Sequence, residues 1–326
     1  MPLLKLRYDL RAPFDSTRDR ADRYAAALDQ IAWADGLGFH SVQFHEHHGT
    51  ADGYLPSPIV FAAAAAARTS RIGIEVGALL VPLHDPLRLA EDLAVLDLIS
   101  RGRLTVVPGA GYVPEEFEMF GKRKSQRGRA VEAAVAVLEQ AWTGEPFEHD
   151  GRTVRVTPRP FQVPRPRLLL GGGSEPAARR AARIGDGYAP MDRLSWEHYR
   201  QARLEQGADD PGERPPSGPL FVYVAEDPEA AWHELGRYLL DEMNSYAAFA
   251  VAAGEATPFT PTEDVEALRA SPNYAVLTPQ ECIALADELG PDGSLIFRPL
   301  SGGMDLELSW RSLRLFETAV LPELTR

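Results

Sequence analysis

With one cysteine, Cys282, in 326 residues, the chain has no partner for an intrachain disulfide and no basis for a thiolate metal cluster. A reducing compartment suits it. Cationic excess is missing as well. Lys plus Arg number 34 against 47 Asp plus Glu, a net charge of −13, so the average surface repels polyanions and nucleic acid is not an expected partner. Long apolar runs are absent too. The longest, Pro58 to Ala67, falls well short of the roughly 18 residues that a membrane span needs. The N-terminal "MPLLKLRYDLRAP" meets its first charge after four residues and lacks the apolar core of a signal peptide. The expectation is a cytoplasmic protein that is neither secreted nor inserted. No Gly-x-Gly-x-x-Gly follows a strand, so a dinucleotide seat of the doubly wound type is not indicated.

What is present is a 44% hydrophobic composition, enough for a large core, and an alternation of short β-type runs with helical periodicity. "KLRYDL" (5–10) precedes a helical stretch over 19–37, in which Tyr24, Leu28 and Ile31 recur at spacings of four and three. "FHSVQF" (39–44), a small-residue helix over 58–70, and "IGIEVGALL" (72–80) follow. Asp85-Pro86 then opens a helix over 86–99. Further strands are expected at 102–111, 167–172, 186–190, 219–225 and 294–299, with helices between them. Thr143 to Pro166 reads as a surface excursion with a hairpin at Asp150-Gly151. Eight strands joined by crossover helices close most naturally into a (β/α)8 TIM barrel of the α/β class; an open doubly wound sheet is the competitor. A single domain over 1–326 is expected, with an insertion at 226–293 between the seventh and eighth strands. Within it, 257–274 reads as a polar loop. An insertion of that length commonly covers a site or builds an interface.

In a barrel, chemistry gathers at the strand C-terminal ends. There "VQFHEHHGT" (42–50) sets three imidazoles and a carboxylate within four positions. Continued strand alternation would put His45 and His47 on one side and Glu46 and His48 on the other. That splits the cluster and argues against a metal site, which needs converging ligands. A neutral imidazole aimed at a pocket serves as acid or base near neutral pH, while its neighbours hydrogen-bond to the barrel end. "LLLGGGSEPAARR" (168–180) offers glycines for close ligand approach and Ser174 as a helix cap, which resembles a phosphate seat or else a tight turn. Arg127 and Arg129 open a helix where an arginine can clamp phosphate, or they are simply solvated. Gly77-Ala78 are small enough for a flat ring to lie against backbone. Phe44, Leu79 and Tyr112 are expected in the pocket wall.

Taken together, "EHHGTADGYLPSP" (46–58), "RTSRIGIEVGALLVPLHDPLRLAEDLAVLDLISRGRL" (68–104), "GAGYVPEEFEMFG" (109–121) and "GGGSEPAARRAARIGDGY" (171–188) resemble the bacterial luciferase-like family of flavin-dependent monooxygenases and oxidoreductases. The resemblance runs from about residue 3 to 190 and resumes at 278–289. It implies a barrel with an insertion after the seventh strand, a homodimer, and reduced flavin at the strand ends. It further implies that His47 is the catalytic histidine and that Gly77-Ala78 is the site of a non-proline cis peptide behind the ring. Gly172, Gly173, Ser174 and Arg127 would hold the flavin phosphate. One position departs. Where luciferase proper has an arginine between the glycines after the fourth strand, this chain has Ala110, so the coenzyme is expected to be reduced FMN or, alternatively, F420.

The expected function is therefore a monooxygenase using reduced FMN and dioxygen on a small organic substrate, with the reduced flavin supplied by a separate flavin reductase. F420-dependent hydride transfer, a non-catalytic flavin-binding relative and a metal-dependent barrel hydrolase are the alternatives.

Overall fold

Each strand expected from the sequence forms. The computed structural model describes residues 1–14, 16–254 and 259–325. The chain begins with β1 (Leu3–Tyr8), α1 (Thr17–Leu37), β2 (Ser41–Phe44), α2 (Pro58–Ala67), β3 (Gly73–Leu80) and α3 (Pro86–Ser100). Then come β4 (Leu104–Gly109), α4 (Pro114–Met119), α5 (Arg127–Ala141), β5 (Phe147–His149), β6 (Arg152–Val154) and β7 (Arg167–Gly172). It continues through α6 (Glu175–Ile184), β8 (Gly187–Pro190), α7 (Arg193–Glu205), β9 (Phe221–Val224), α8 (Pro228–Ala253) and α9 (Val265–Arg269). The last elements are β10 (Tyr274–Leu277), α10 (Pro279–Leu289), β11 (Ser294–Phe297), α11 (Leu306–Leu315) and α12 (Leu321–Leu324). Two compact units partition these elements. One comprises residues 1–43, 50–55 and those from 215 onward; the other comprises 44–49 and 56–214.

In the first unit β11, β1 and β2 lie side by side, and β1 runs parallel to β11 in the register Leu3↔Ser294 to Leu6↔Phe297. Leu4, Leu6 and Tyr8 alternate into the core along β1, as a half-buried strand requires. The stretch 257–274 corrects the loop reading. It contains α9, whose N-cap Asp264 accepts from Ala267 N at 2.8 Å, and it runs into β10, which pairs in parallel with β9; residues 255–258 of this region lie outside the described ones. A four-residue strand directly behind the turn-forming "SPN" carries too few residues to show a period, which is why composition hid it.

In the second unit β3, β4, β7 and β8 neighbour one another in that order, every pair parallel. This is the βαβ arrangement that the alternation predicts. Asp85 caps α3, its Oδ1 accepting from Leu87 N and Arg88 N at 3.0 Å each. The predicted hairpin is β5 against β6, turning at Asp150 (φ 48°) and Gly151 (φ 71°), the two positive φ values of the favoured two-residue hairpin turn. Trp142, fully buried at the end of α5, donates Nε1–H to Ala90 O on α3 at 3.0 Å.

Helix ends in this unit are closed by one side chain. Arg103 Nε donates to Ser100 O (2.7 Å), Nη1 to Thr69 Oγ1 (2.9 Å) and Ile72 O (2.8 Å), and Nη2 to Ala66 O (2.9 Å) and Thr69 O (3.2 Å). The planar fork thus serves last-turn carbonyls of both α2 and α3, the groups that a helix end leaves short of intrahelical partners. Arg103→Lys keeps the charge but cannot span both ends. It is expected to lower unfolding free energy by about 2 kcal/mol, measured by urea denaturation; an unchanged midpoint would refute the assignment.

Candidate active site

β2 ends at Phe44, yet side-chain alternation persists through the next residues. Glu46 and His48 turn to one side and meet: His48 Nε2 lies 2.8 Å from Glu46 Oε1. His84, in the turn before α3, places its Nε2 2.8 Å from the same oxygen, and Leu80 N at the end of β3 donates to Glu46 Oε2 at 2.6 Å. Glu46 is 2% exposed. Burial pushes its carboxyl up, but hydrogen bonds from His48 and His84, the charge of His84 and the Leu80 N–H together outweigh this and hold it at about 2. An ionised carboxylate only accepts, so both Nε2 atoms donate. His48 and His84 are thereby structural, and His48 also packs its ring edge-on against Phe120 (4.7 Å between centroids).

His47 goes the other way. Its Nδ1 lies 2.7 Å from Oε1 of Glu116, and the same oxygen accepts the His48 backbone N–H at 2.9 Å. Both side chains are buried. The chain delivers Glu116 through Gly111, whose φ of 72° suits glycine, into the short helix α4. Phe117 then anchors α4 against Leu80 and Leu83. Tyr112 meets the His47 ring edge-on at 5.6 Å. Glu116 and His84 were not singled out from sequence; the one available signal was the acidic pair in "YVPEEF" directly behind the glycines of the fourth strand.

The glycine strand ends come together around Val107. A Cβ on Gly77 would lie 2.4 Å from Val107 Cβ, and one on Gly171 would lie 3.2 Å from Val107 Cγ1. A Cβ on Gly109 would lie 2.8 Å from that of Ala78. Gly77 of β3 and Gly171 of β7 therefore flank Val107 of β4 from its two sides, and the Gly77-Ala78 peptide is cis. Beyond them, Gly172 O accepts from Tyr188 OH at 2.5 Å and from Met191 N at 3.1 Å. Gly173 and Ser174 lead into α6. Ser174 holds the N-cap position as expected, but its side chain makes no capping hydrogen bond, so the capping role assigned to its hydroxyl is corrected. Arg127 is the first residue of α5; its neighbour Gly128 lies against the guanidinium of Arg180, a mid-helix residue of α6. The wall expected from Phe44 and Leu79 is also corrected. Neither has exposed surface, and Phe44 packs edge-on against Phe61 at 5.4 Å; Tyr112 is partly exposed. Among the described residues no three metal-ligating side chains are grouped to hold an ion.

The first unit has its own polar cluster behind β1 and β11. Arg298 pairs with Asp9 at 2.9 Å and with Glu242. Arg11 lies 3.4 Å from Asp52 and 3.7 Å from Asp9, with its guanidinium over the rings of Tyr246 (4.4 Å) and Tyr54 (4.9 Å). Burial pushes Glu242 up, opposed by Arg298 and reinforced by Asp9. None of these was visible in the sequence, because its charges stand far apart along the chain.

The Glu46 node sets a pH dependence. Its folded value of about 2 lies below the ordinary 4.5, so its contribution is complete above about pH 4.5 and is lost as pH falls toward 2; it amounts to about 3 kcal/mol. The stability gap between the parent protein and Glu46→Gln is expected to shrink by about 2 kcal/mol between pH 6 and pH 3. A gap independent of pH would sink the assignment.

A profile of the luciferase-like monooxygenase family matches residues 8–284. The crystal structure of monooxygenase RslO1 from Streptomyces bottropensis superposes with a TM-score of 0.78 at 29% identity, over 99% of this chain and 100% of that one. The 4-hydroxyprotoasukamycin monooxygenase of Streptomyces nodosus subsp. asukaensis is 29% identical over 202 residues, 55% of this chain and 54% of that protein. The oxygenase component of the flavin-dependent trigonelline monooxygenase of Acinetobacter baylyi is 26% identical over 154 residues, 45% of this chain and 42% of that protein. The match spans about half the length of the first such relatives, 47%, 50% and 54%. The α/β architecture of parallel strands agrees with these likenesses, and the family match covers most of the chain. The chain belongs to the luciferase-like monooxygenases, a family of oxidoreductases.

Proposed function

We propose that this protein is a flavin-dependent monooxygenase that takes reduced FMN from a separate flavin reductase and uses dioxygen to oxygenate a small organic substrate. In this reading residues 1–326 form one closed (β/α)8 domain with the 226–293 insertion, and the protein works as a homodimer in the cytoplasm. The observation that carries it is the buried His47–Glu116 pair in the same unit as glycine strand ends with no room for side chains. A relative that is the oxygenase component of a flavin-dependent monooxygenase supports the separate source of reduced flavin.

The residues fit a phosphorylated planar coenzyme. Ser174 leaves the first amides of α6 without a side-chain cap, and helix starts favour anions. Glu175, the acidic residue of that first turn, is paired with Arg179 at 2.8 Å, which offsets its charge. Gly172, Gly173, Ser174 and Arg127 would hold the phosphate, and Gly77-Ala78 would back the ring. When bound, reduced flavin supplies the electrons that activate dioxygen. With its Nδ1 committed to Glu116, His47 exchanges protons with a bound molecule through Nε2. Tyr112 borders that imidazole and contributes to the substrate wall.

Anaerobic titration with reduced FMN and, in parallel, reduced F420, followed by admission of oxygen, tests this. Saturable binding of reduced FMN and oxygen-dependent product formation are expected. Binding of F420 alone, with indifference to oxygen, would replace the proposal with hydride transfer, the alternative that Ala110 leaves open. Binding of neither would remove both. His47→Ala is expected to leave FMN binding within about threefold and to lower turnover by about 10² to 10⁴; equal turnover would remove His47 from the chemistry.

A further inference from the structure

We infer that Glu116 is the positioning residue that fixes His47 in its Nδ1–H tautomer, so that Nε2 meets the bound molecule as a proton acceptor. The inference rests on the assignment of His47 as the acid-base group and adds what decides its protonation pattern. A backbone N–H is always a donor, and the His48 N–H points at Glu116 Oε1 from 2.9 Å. The atom at that seat must therefore accept. His47 Nδ1 shares the same seat at 2.7 Å; a carboxylate oxygen only accepts, so Nδ1 carries the hydrogen, and in the neutral ring the lone pair then resides on Nε2. Histidine in water prefers the opposite tautomer, so the protein imposes this one.

Nothing about α4 itself requires Glu116 to point there. Glu116 is the third residue of that helix, a position from which an acidic side chain ordinarily turns back to its own helix start. Instead it reaches the 46–48 segment, although the N-cap residue Val113 offers no side-chain cap. Its other oxygen, Oε2, is buried without a hydrogen-bond partner among the described residues, an arrangement that carries a cost. The neighbouring histidines and carboxylates divide between two seats. His48 and His84 are spent on Glu46, Glu46 faces the end of β3, and Tyr112 presents its ring edge. Glu116 is the carboxylate that lies within hydrogen-bond reach of His47 Nδ1.

Two variants separate positioning from simple structural support. In Glu116→Gln the His48 N–H should draw the amide oxygen to the same seat, preserving the Nδ1–H tautomer; in Glu116→Ala the Nδ1 acceptor is removed. Nitrogen-15 NMR of the His47 ring in the ligand-free protein is expected to report Nδ1–H in the parent and in Glu116→Gln, and a shift toward Nε2–H in Glu116→Ala. Turnover with reduced FMN is expected to fall less than about tenfold in Glu116→Gln and about 10² to 10³ in Glu116→Ala, with FMN affinity within about threefold in both. In a His47→Ala background, Glu116→Ala should have no further effect on turnover. An Nε2–H ring in the parent, an unchanged tautomer in Glu116→Ala, or losses that multiply in the double variant would each overturn the inference. Because the NMR measurement needs no coenzyme, it stands or falls apart from the flavin assignment.

Discussion

A carboxylate stripped of water stays ionised only where donors replace the water, and Glu46 is the point where this chain meets that requirement. Its donors come from three segments: its own strand-end loop through His48, the last residue of β3 through Leu80 N, and the turn before α3 through His84. One side chain thereby joins the end of β2 to the end of β3 and to the start of the next helix. The positions of the remaining site groups follow. Leu80 also packs against Phe117, so the segment fixed by Glu46 is the one on which α4 rests, and α4 carries Glu116.

The same node explains why three histidines of one chemical type acquire different roles. Each is assigned by the carboxylate it reaches. Two share an oxygen of Glu46 and cannot serve a bound molecule through those nitrogens without breaking the weld, while the residue between Glu46 and His48 is thrown to the opposite side by backbone alternation. A buried imidazole there needs its own acceptor, and Glu116 supplies it.

Much of this was legible in sequence where local rules act alone. The Asp85-Pro86 helix start and the Asp150-Gly151 turn each depend on a few adjacent residues, and both appear as expected. The alternation through Glu46, His47 and His48 was also readable, since a period of two needs no tertiary context. What could not be read was which distant group each side chain meets. Glu116 is 69 positions from His47, and Arg298 is 289 positions from Asp9; such pairs are products of the fold, with no local pattern to betray them. Ser174 shows the converse. Its place at the helix start follows from a turn followed by Glu-Pro, but whether its hydroxyl bonds to its own helix depends on a rotamer that spacing does not specify.

Buried polar groups without full hydrogen bonding sharpen the distinction between scaffold and site. Two arginines of the scaffold are well bonded: Arg103 serves five acceptors and Arg23 donates to the Met304 and Gly303 carbonyls. At other buried groups the pattern differs. Glu116 Oε2 and the three guanidinium nitrogens of Arg11 have no hydrogen bond among the described residues, although Arg11 is held by looser ion pairs. Each such group costs on the order of 1–3 kcal/mol, and packing alone gives no reason to retain it. In parallel α/β folds the strand C-terminal ends are where ligands bind. At Glu116 that cost accompanies the hydrogen bond to His47, and the well-bonded scaffold behind it is what makes the cost tolerable.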